Sequence, residues 1–478
     1  MNPAPAWVIS ETAGLIASET GLGTCKKGLW QAAGISYGPL KASHFRSLVG
    51  GRFHSYPPSG LESDGLNLAG VVRGLILVAS GRPKSFRQAY PCRTAKNLFC
   101  DILNKMERSA AMALTGARIS DIMPTALSLF SDQYSPRLST RATPGTVDQV
   151  VVWLIDGLGY DQLTRALARG LMPRLQERLL SQESHLESLT TVNPSMTPVA
   201  LASLLTGSDP AQHGLIGQSL YCDHQVIDVF KSSIPQSLAL AQDLVAESAE
   251  ALGIHYQAIL EHRILKGPLT QLLHRNTRHL STYIRDSGLS VVLNQALAEN
   301  RTGIFYLYSS GIDAVNHRRG VESDEWVAEI EAVDRQLDQF TAPSGQTTWL
   351  WITADHGHIP IRGELSYPLL VDQLPSLPPI PAEIGSAVSV DVEDMSALKR
   401  ALANFSDLPI DVVAVADLVD QHYFGQGDVS PFLSRLGDYL LVPPSGFIWH
   451  TTSSEPLAWS HGGSHLGEMT IPWFECRL

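Results

Sequence analysis

The sequence predicts an α/β fold with a mostly parallel central sheet flanked by helices. Three observations predict it. Apolar runs stand at VDQVVVWLI (147–155), GIFYLYSS (303–310) and TTWLWIT (347–353); helical spacing separates the last two; and an acid follows each run. Runs without polar alternation belong to strands buried on both faces, as in a parallel sheet covered by helices. Strand, helix, strand in this order implies right-handed crossovers.

In chain order, residues 1–110 alternate Gly, Ser and Pro with brief apolar stretches, and only about 94–114 has helical spacing. This part reads as an N-terminal extension of unknown role, and 111–146 as a connecting segment whose Ser135 to Gly145 portion is a Ser/Thr/Pro-rich linker. The α/β domain then runs over 147–478. Tyr160 to Leu180 is helix-like, and Ser323 to Phe340 places Trp326, Ile330, Val333, Leu337 and Phe340 on one helical face. Amphipathic patterns within 215–300 and a strand-helix-strand pattern from Val388 to Ala416 read as cap insertions, near 215–300 and 385–450. Loops at such positions would set leaving-group preference.

The charge is divided unevenly. Residues 1–110 hold 13 of the 35 Lys/Arg and 6 of the 47 Asp/Glu, so this part is basic while the remainder is strongly acidic and the whole chain carries −12. That balance argues against a nucleic-acid groove, which needs a basic stripe. An anionic substrate would then need local positive charge, which a bound metal supplies. Cys25, Cys92, Cys100, Cys222 and Cys476 form no C-x-x-C pair and are odd in number, so reduced thiols are expected rather than a disulfide framework. The start lacks a basic segment before its apolar residues, and the apolar stretch Ala69 to Ser80 is short and broken by Arg73. A cytoplasmic protein without a membrane span is the expectation.

The acids beyond the three runs are Asp156 in LIDGLG, Asp313 in SSGIDAVNH and Asp355 in TADHGH. In open parallel sheets the carboxyl ends of the strands form the ligand crevice, so three carboxylates would gather at one edge and repel. A cation relieves that repulsion, and the neighbouring histidines favour a transition metal over Mg²⁺ or Ca²⁺. His317 lies one helical turn beyond Asp313, His356 adjoins Asp355, and SHGGSHLGEM adds His461 and His465. Mixed carboxylate and imidazole ligands favour Zn²⁺. In TTVNPSMTPVALASLLTG, Pro198 suits the first position of a helix and Thr197 its N-cap, which puts a hydroxyl at the positive helix end that attracts phosphate. Coordination to Zn²⁺ would lower the pKa of that hydroxyl and make it a nucleophile.

IDGLG, TPVALASLLTG followed by DPAQHG, DAVNH, TADHG, and HGGSHLGEM before Ile471-Pro472 occur in one order. Over about 147–473, two thirds of the chain, they resemble the alkaline phosphatase superfamily, in its type I phosphodiesterase and nucleotide pyrophosphatase branch. The resemblance implies a three-layer α/β sandwich with cap insertions and a metal-dependent hydrolase of phosphate or phosphonate esters. It also implies two divalent metal ions, most simply Zn²⁺. Carried over by position, Asp156, Thr197, Asp355 and His356 would hold one metal and Asp313, His317 and His461 the other. Thr197 would attack in line, form a phosphothreonine intermediate and be freed by water, with the metals about 3.5–4 Å apart. Two stretches depart from the nucleotide diesterases, which follow the nucleophile with Phe-Pro-Asn-His and carry a later Gly-Asn; here they read PVAL and Gly217-Gln218.

Each signal has a plainer reading. Asp-Gly after a strand is often only a turn, Thr197 a plain cap, and Asp355-His356 a loop hydrogen-bond pair. His213 reads as a loop residue, His358 as lying behind the ligands or exposed, and His465 as the competitor of His461. Gln218, Arg318, Arg319 and Arg362 are either substrate contacts or solvated side chains. The rival functions are a phosphotransferase or mutase using the same intermediate, and a binding protein that keeps the fold without turnover. The expected partner is a small phosphate or phosphonate ester.

Overall fold

Seven strands build the central sheet: β1 (Gln149–Ile155), β2 (Ser184–Thr190), β3 (Tyr256–Glu261), β4 (His279–Tyr283), β5 (Gly303–Ser309), β6 (Thr348–Thr353) and β7 (Thr470–Arg477). The structure is a computed structural model and describes residues 116–223, 225–451 and 456–478. The expectations for residues 1–110, with the helix at 94–114, lie outside the described residues. The strand order is β2-β7-β6-β1-β5-β3-β4. β1 pairs in parallel with β5 and β6, and β3 in parallel with β4 and β5, while β7 runs antiparallel to both of its neighbours. The sheet is therefore mostly parallel, as the apolar runs require. Every residue of β1, β5 and β6 is buried.

The helices that matter for the site are α1 (Tyr160–Ala168), α2 (Thr197–Thr206), α3 (Gly311–Arg319) and α4 (Asp324–Leu337). In α4 the Ser323 hydroxyl accepts from Trp326 N and caps the first turn. Trp326, Ile330, Val333 and Leu337 are buried, and Phe340 meets Trp153 of β1 edge-on at 5.1 Å. This is the apolar face visible in the sequence, and burying each such side chain stabilises by about 1.5–3 kcal/mol. The helix-like stretch from Tyr160 to Leu180 is two helices. Gly170, at φ 71, breaks the chain before a short helix at Pro173–Arg178.

The stretch 215–300 differs from the cap expected there, because it supplies β3 and β4 to the central sheet. β4, with the sequence HLSTY, is an edge strand with one buried residue, so its pattern carries little apolar signal. The hairpin of Ser219–Cys222 with Gln225–Asp228 is a separate two-stranded sheet. The segment before β1 also joins the core. Ile122–Ser128 is a buried helix, and Thr140 Oγ1 and Arg141 N both donate to the Glu475 carboxylate of β7.

Further along, Ala382–Ile384, Ala387–Val390, Tyr439–Val442 and Asp411–Ala414 form a second, antiparallel sheet. Helix Met395–Phe405 packs with it, and Val388, Val390, Leu398, Leu402 and Leu441 share an apolar cluster separate from the main one. Its first hairpin reaches the amino end of α2, where Gly385 N lies 2.9 Å from Met196 Sδ, beside Thr197.

Candidate metal centre

β6, β1 and β5 are adjacent and parallel, so their carboxyl ends open on one edge of the sheet. Asp156 follows β1 directly, Asp355 follows β6 after one residue, and Asp313 stands in the first turn of α3 after β5. β7 is antiparallel, so its amino end lies at the same edge, and that brings the preceding segment 459–469 there too. The turn after Asp156 needs Gly157: its φ is +75, and a Cβ would come within 2.7 Å of His358 and 2.9 Å of the Asp313 backbone. Gly357 has a different need. A Cβ there would overlap the Gly467 carbonyl oxygen, so the His356 loop and the carboxyl-terminal segment meet only through glycine.

Two groups of potential ligand atoms result. Asp156, Asp355 and His356 form one, and Asp313, His317, His358 and His461 the other, each with atoms within 4.8 Å of one another. His356 and His461 stack at 3.5 Å between centroids, so the groups adjoin. Thr197 lies beside the first, its Oγ1 3.1 Å from His356 Nε2. All seven residues read from the sequence thus come together, and His358 joins them as an eighth. His358 is buried, with Nε2 3.2 Å from Asp313 Oδ1. Sequence reasoning left it open; the H-x-H spacing at 356 and 358 was the available signal.

Thr197 differs from the expected N-cap by one position. It is the first residue of α2, Met196 is the cap residue, and no side chain caps the helix. The hydroxyl is therefore turned to the groups instead of to its own helix. His465 does cap a helix, accepting from Gly467 N at 3.0 Å, whereas His461 stacks in the site. His213 is buried elsewhere, bonded to Ser203 Oγ and Leu215 N, and Arg319 pairs with Glu325. Gln218 is held by its backbone to Glu383 and Val229, and Arg362 N donates to Gly446 O.

The hydrogen bonds show what the residues present to one another. His317 Nδ1 lies 2.9 Å from Trp459 O, His461 Nδ1 2.9 Å from Ser195 O, and His356 Nδ1 3.2 Å from Gly357 O. A carbonyl only accepts, so each Nδ1 carries a proton and each Nε2 is the nitrogen that faces the site, the orientation that metal ligands use. The carboxylates match. Asp355 Oδ1 accepts from Gly157 N and His356 N, Asp156 Oδ2 accepts from the Tyr308 hydroxyl, and Asp156 Oδ1, Asp355 Oδ2 and Asp313 Oδ1 are buried without a hydrogen bond. Buried acceptor atoms that face one another fit cations.

The protonation energetics agree. Burial, then the charges of Asp355 and Asp313, pushes Asp156 well above the usual carboxylate range, and burial pushes Asp355 to about 6. At Asp313 burial also acts upward, but His317 and His358 outweigh it and hold the carboxyl well below its usual range. Burial lowers His356 to about 3 and His461 well below its ordinary value, so both imidazoles are neutral near pH 7.

Among the described residues no helix is long and apolar enough to cross a membrane. A family model described as type I phosphodiesterase / nucleotide pyrophosphatase matches residues 150–462. The fold is similar to that of phosphonoacetate hydrolase from Sinorhizobium meliloti, solved with phosphonoformate or phosphonoacetate. That likeness has TM-score 0.54 and 19% identity, covering 71% of this chain and 92% of that one. Human ectonucleotide pyrophosphatase / phosphodiesterase 5 matches with TM-score 0.53 and 15% identity, over 68% and 87%. An inactive variant of the mouse protein in complex with AMP matches with TM-score 0.51 and 13% identity, over 68% and 87%. A comparison with curated protein sequences gives no match.

Proposed function

This chain belongs to the type I phosphodiesterase / nucleotide pyrophosphatase family, and from that premise we propose that it hydrolyses phosphate or phosphonate esters with Thr197 as nucleophile. Asp156, Asp355 and His356, with Thr197, would hold one divalent cation, and Asp313, His317 and His461 a second. Zinc suits this mixture of imidazole and carboxylate. When bound, the cations supply positive charge for phosphoryl oxygens and lower the pKa of an attacking oxygen.

One observation carries the reading. The Thr197 hydroxyl stands at the amino end of α2, 3.1 Å from His356 Nε2, beside acceptor atoms that have no other partner. The helix end favours a bound anion. Thr197 Oγ1 would form a bond to phosphorus as the bond to the leaving oxygen breaks, giving a phosphothreonine. Water would then displace Thr197 from phosphorus and release the acid product. The neutral imidazoles hold their orientation through Nδ1–H donated to backbone carbonyls.

The family includes nucleotide pyrophosphatases, and the fold neighbours were solved with AMP and with small phosphonates. PVAL and Gln218 stand where the nucleotide diesterases carry other residues, which favours a small phosphate or phosphonate over a nucleotide. A panel of nitrophenyl phosphate, a nitrophenyl nucleotide diester and a phosphonate monoester, run with metal analysis, tests this. Turnover that is lost on chelation and restored by Zn²⁺ is expected. Turnover indifferent to prolonged chelation, or none on any ester after Zn²⁺ loading, would remove the proposal.

A further inference from the structure

We propose that Tyr308 is a positioning residue that holds Asp156 by one oxygen and leaves the other to bind metal. This rests on the metal-dependent reading above. Tyr308 is the last residue but one of β5, and Asp156 follows β1, its parallel neighbour. The Tyr308 hydroxyl donates to Asp156 Oδ2, in a buried contact between two strands that lie side by side. Asp156 Oδ1 is buried without a hydrogen bond and faces His356 Nε2 at 3.6 Å.

The companion carboxylate is arranged the same way by different donors. Asp355 Oδ1 takes two backbone amides, Gly157 N and His356 N, each at 3.0 Å, and Oδ2 is left to the site. In both carboxylates one oxygen is tied down and one is free. For Asp355 the backbone does this, which no substitution of a side chain removes; for Asp156 a single phenol does it. A carboxylate held by one oxygen offers a fixed single-oxygen ligand. Without the phenol, Asp156 can rotate about its side-chain bond or offer both oxygens, and the geometry of that group is no longer set before metal arrives.

Tyr308 is itself held. Tyr283, on β4, donates its hydroxyl to the Tyr308 carbonyl oxygen at 2.8 Å, which supports the strand without touching either carboxylate. Tyr283→Phe therefore removes a buried hydroxyl from the same neighbourhood and leaves Asp156 untouched, and it serves as the control.

The experiment measures metal affinity in the full chain, stripped and titrated with Zn²⁺ against a competing chelator, for wild type, Tyr308→Phe and Tyr283→Phe. Partners of metal ligands usually matter about 10–100-fold in affinity. Tyr308→Phe is expected to weaken one of two sites by that factor and leave the other at wild-type affinity. Tyr283→Phe is expected to change neither. Co²⁺ loading adds a spectroscopic readout, since a change in how Asp156 binds shifts the visible bands of one site only. Circular dichroism and unfolding of the metal-free proteins establish that both variants fold. Two wild-type sites with no change in Tyr308→Phe would overturn the role of Tyr308, as would equal weakening in both variants. A wild-type chain that binds no metal would instead overturn the metal-dependent reading.

Discussion

The two ligand groups at the sheet edge use the same side-chain types in opposite proportion. Asp156, Asp355 and His356 put two carboxylates against one imidazole, whereas Asp313, His317, His358 and His461 put one carboxylate among three. The acid-rich group is deeply buried, and its carboxyls are pushed up by burial and by each other. In the histidine-rich group Asp313 is held down by His317 and His358, and His317 is raised in return despite its burial. One group is therefore repulsive until a cation arrives, while the other partly neutralises itself. The comparison teaches that a crevice can be built for charge in two ways, by leaving repulsion in place or by pairing it internally.

Thr197→Ala gives the largest effect expected. It removes the hydroxyl next to the acid-rich group, and loss of an essential nucleophile lowers kcat by on the order of 10³-fold or more. Both groups should still bind metal, with any weakening confined to the acid-rich one, because the carboxylates and imidazoles stay; residual turnover within tenfold of wild type would take Thr197 out of the reaction.

The contrast between the groups predicts opposite signs for two carboxylate substitutions in metal-free protein, read by denaturant unfolding. Asp313→Asn breaks a half-buried pair with His317 and should destabilise by roughly 1–3 kcal/mol. Asp355→Asn keeps an oxygen for Gly157 N and His356 N but removes a charge the fold resists. A carboxyl raised from 3.8 to about 6 costs the folded state stability, a cost that builds up between those two pH values and is complete above the second. This variant should therefore be more stable at pH 8 by roughly 2–3 kcal/mol, and the gain should shrink as pH falls through about 6 and be gone below about pH 4. Equal losses in both variants would erase the distinction between the groups.

Gly357→Ala probes what joins them. Gly357 lies between His356 of one group and His358 of the other, and a Cβ would press on the Gly467 carbonyl. Overpacking there should destabilise by about 1–2 kcal/mol and weaken both metal sites together. Weakening confined to one would mean that the groups are positioned independently.

The central strands were legible because each is buried on both faces, so its apolar run carries the assignment without knowledge of its neighbours. β4 and the segment before β1 were not legible: β4 borders solvent, and Ile122–Ser128 is buried by packing against α2 and the helix Val245–Ala251, which lie far along the chain. At the site, acid and histidine motifs marked six residues by their order, and the Thr-Pro start of a helix marked Thr197. Tyr308 carried no such mark, since within GIFYLYSS it reads as one more buried aromatic, and its hydroxyl matters only because β1 lies alongside.

Local chemistry alone determined the buried strands, the helical face of α4, and the residue types able to hold cations and attack phosphorus. Those are properties of short stretches, where side-chain period and composition decide the outcome. Tertiary structure decided the rest: that segments 156–157, 195–197, 313–317, 355–358 and 459–461 meet, that His461 enters the site while His465 caps a helix, and which oxygen of each carboxylate is free. Such choices depend on strand order and on donors from distant parts of the chain, and no local pattern encodes the distance between residues that only folding brings together.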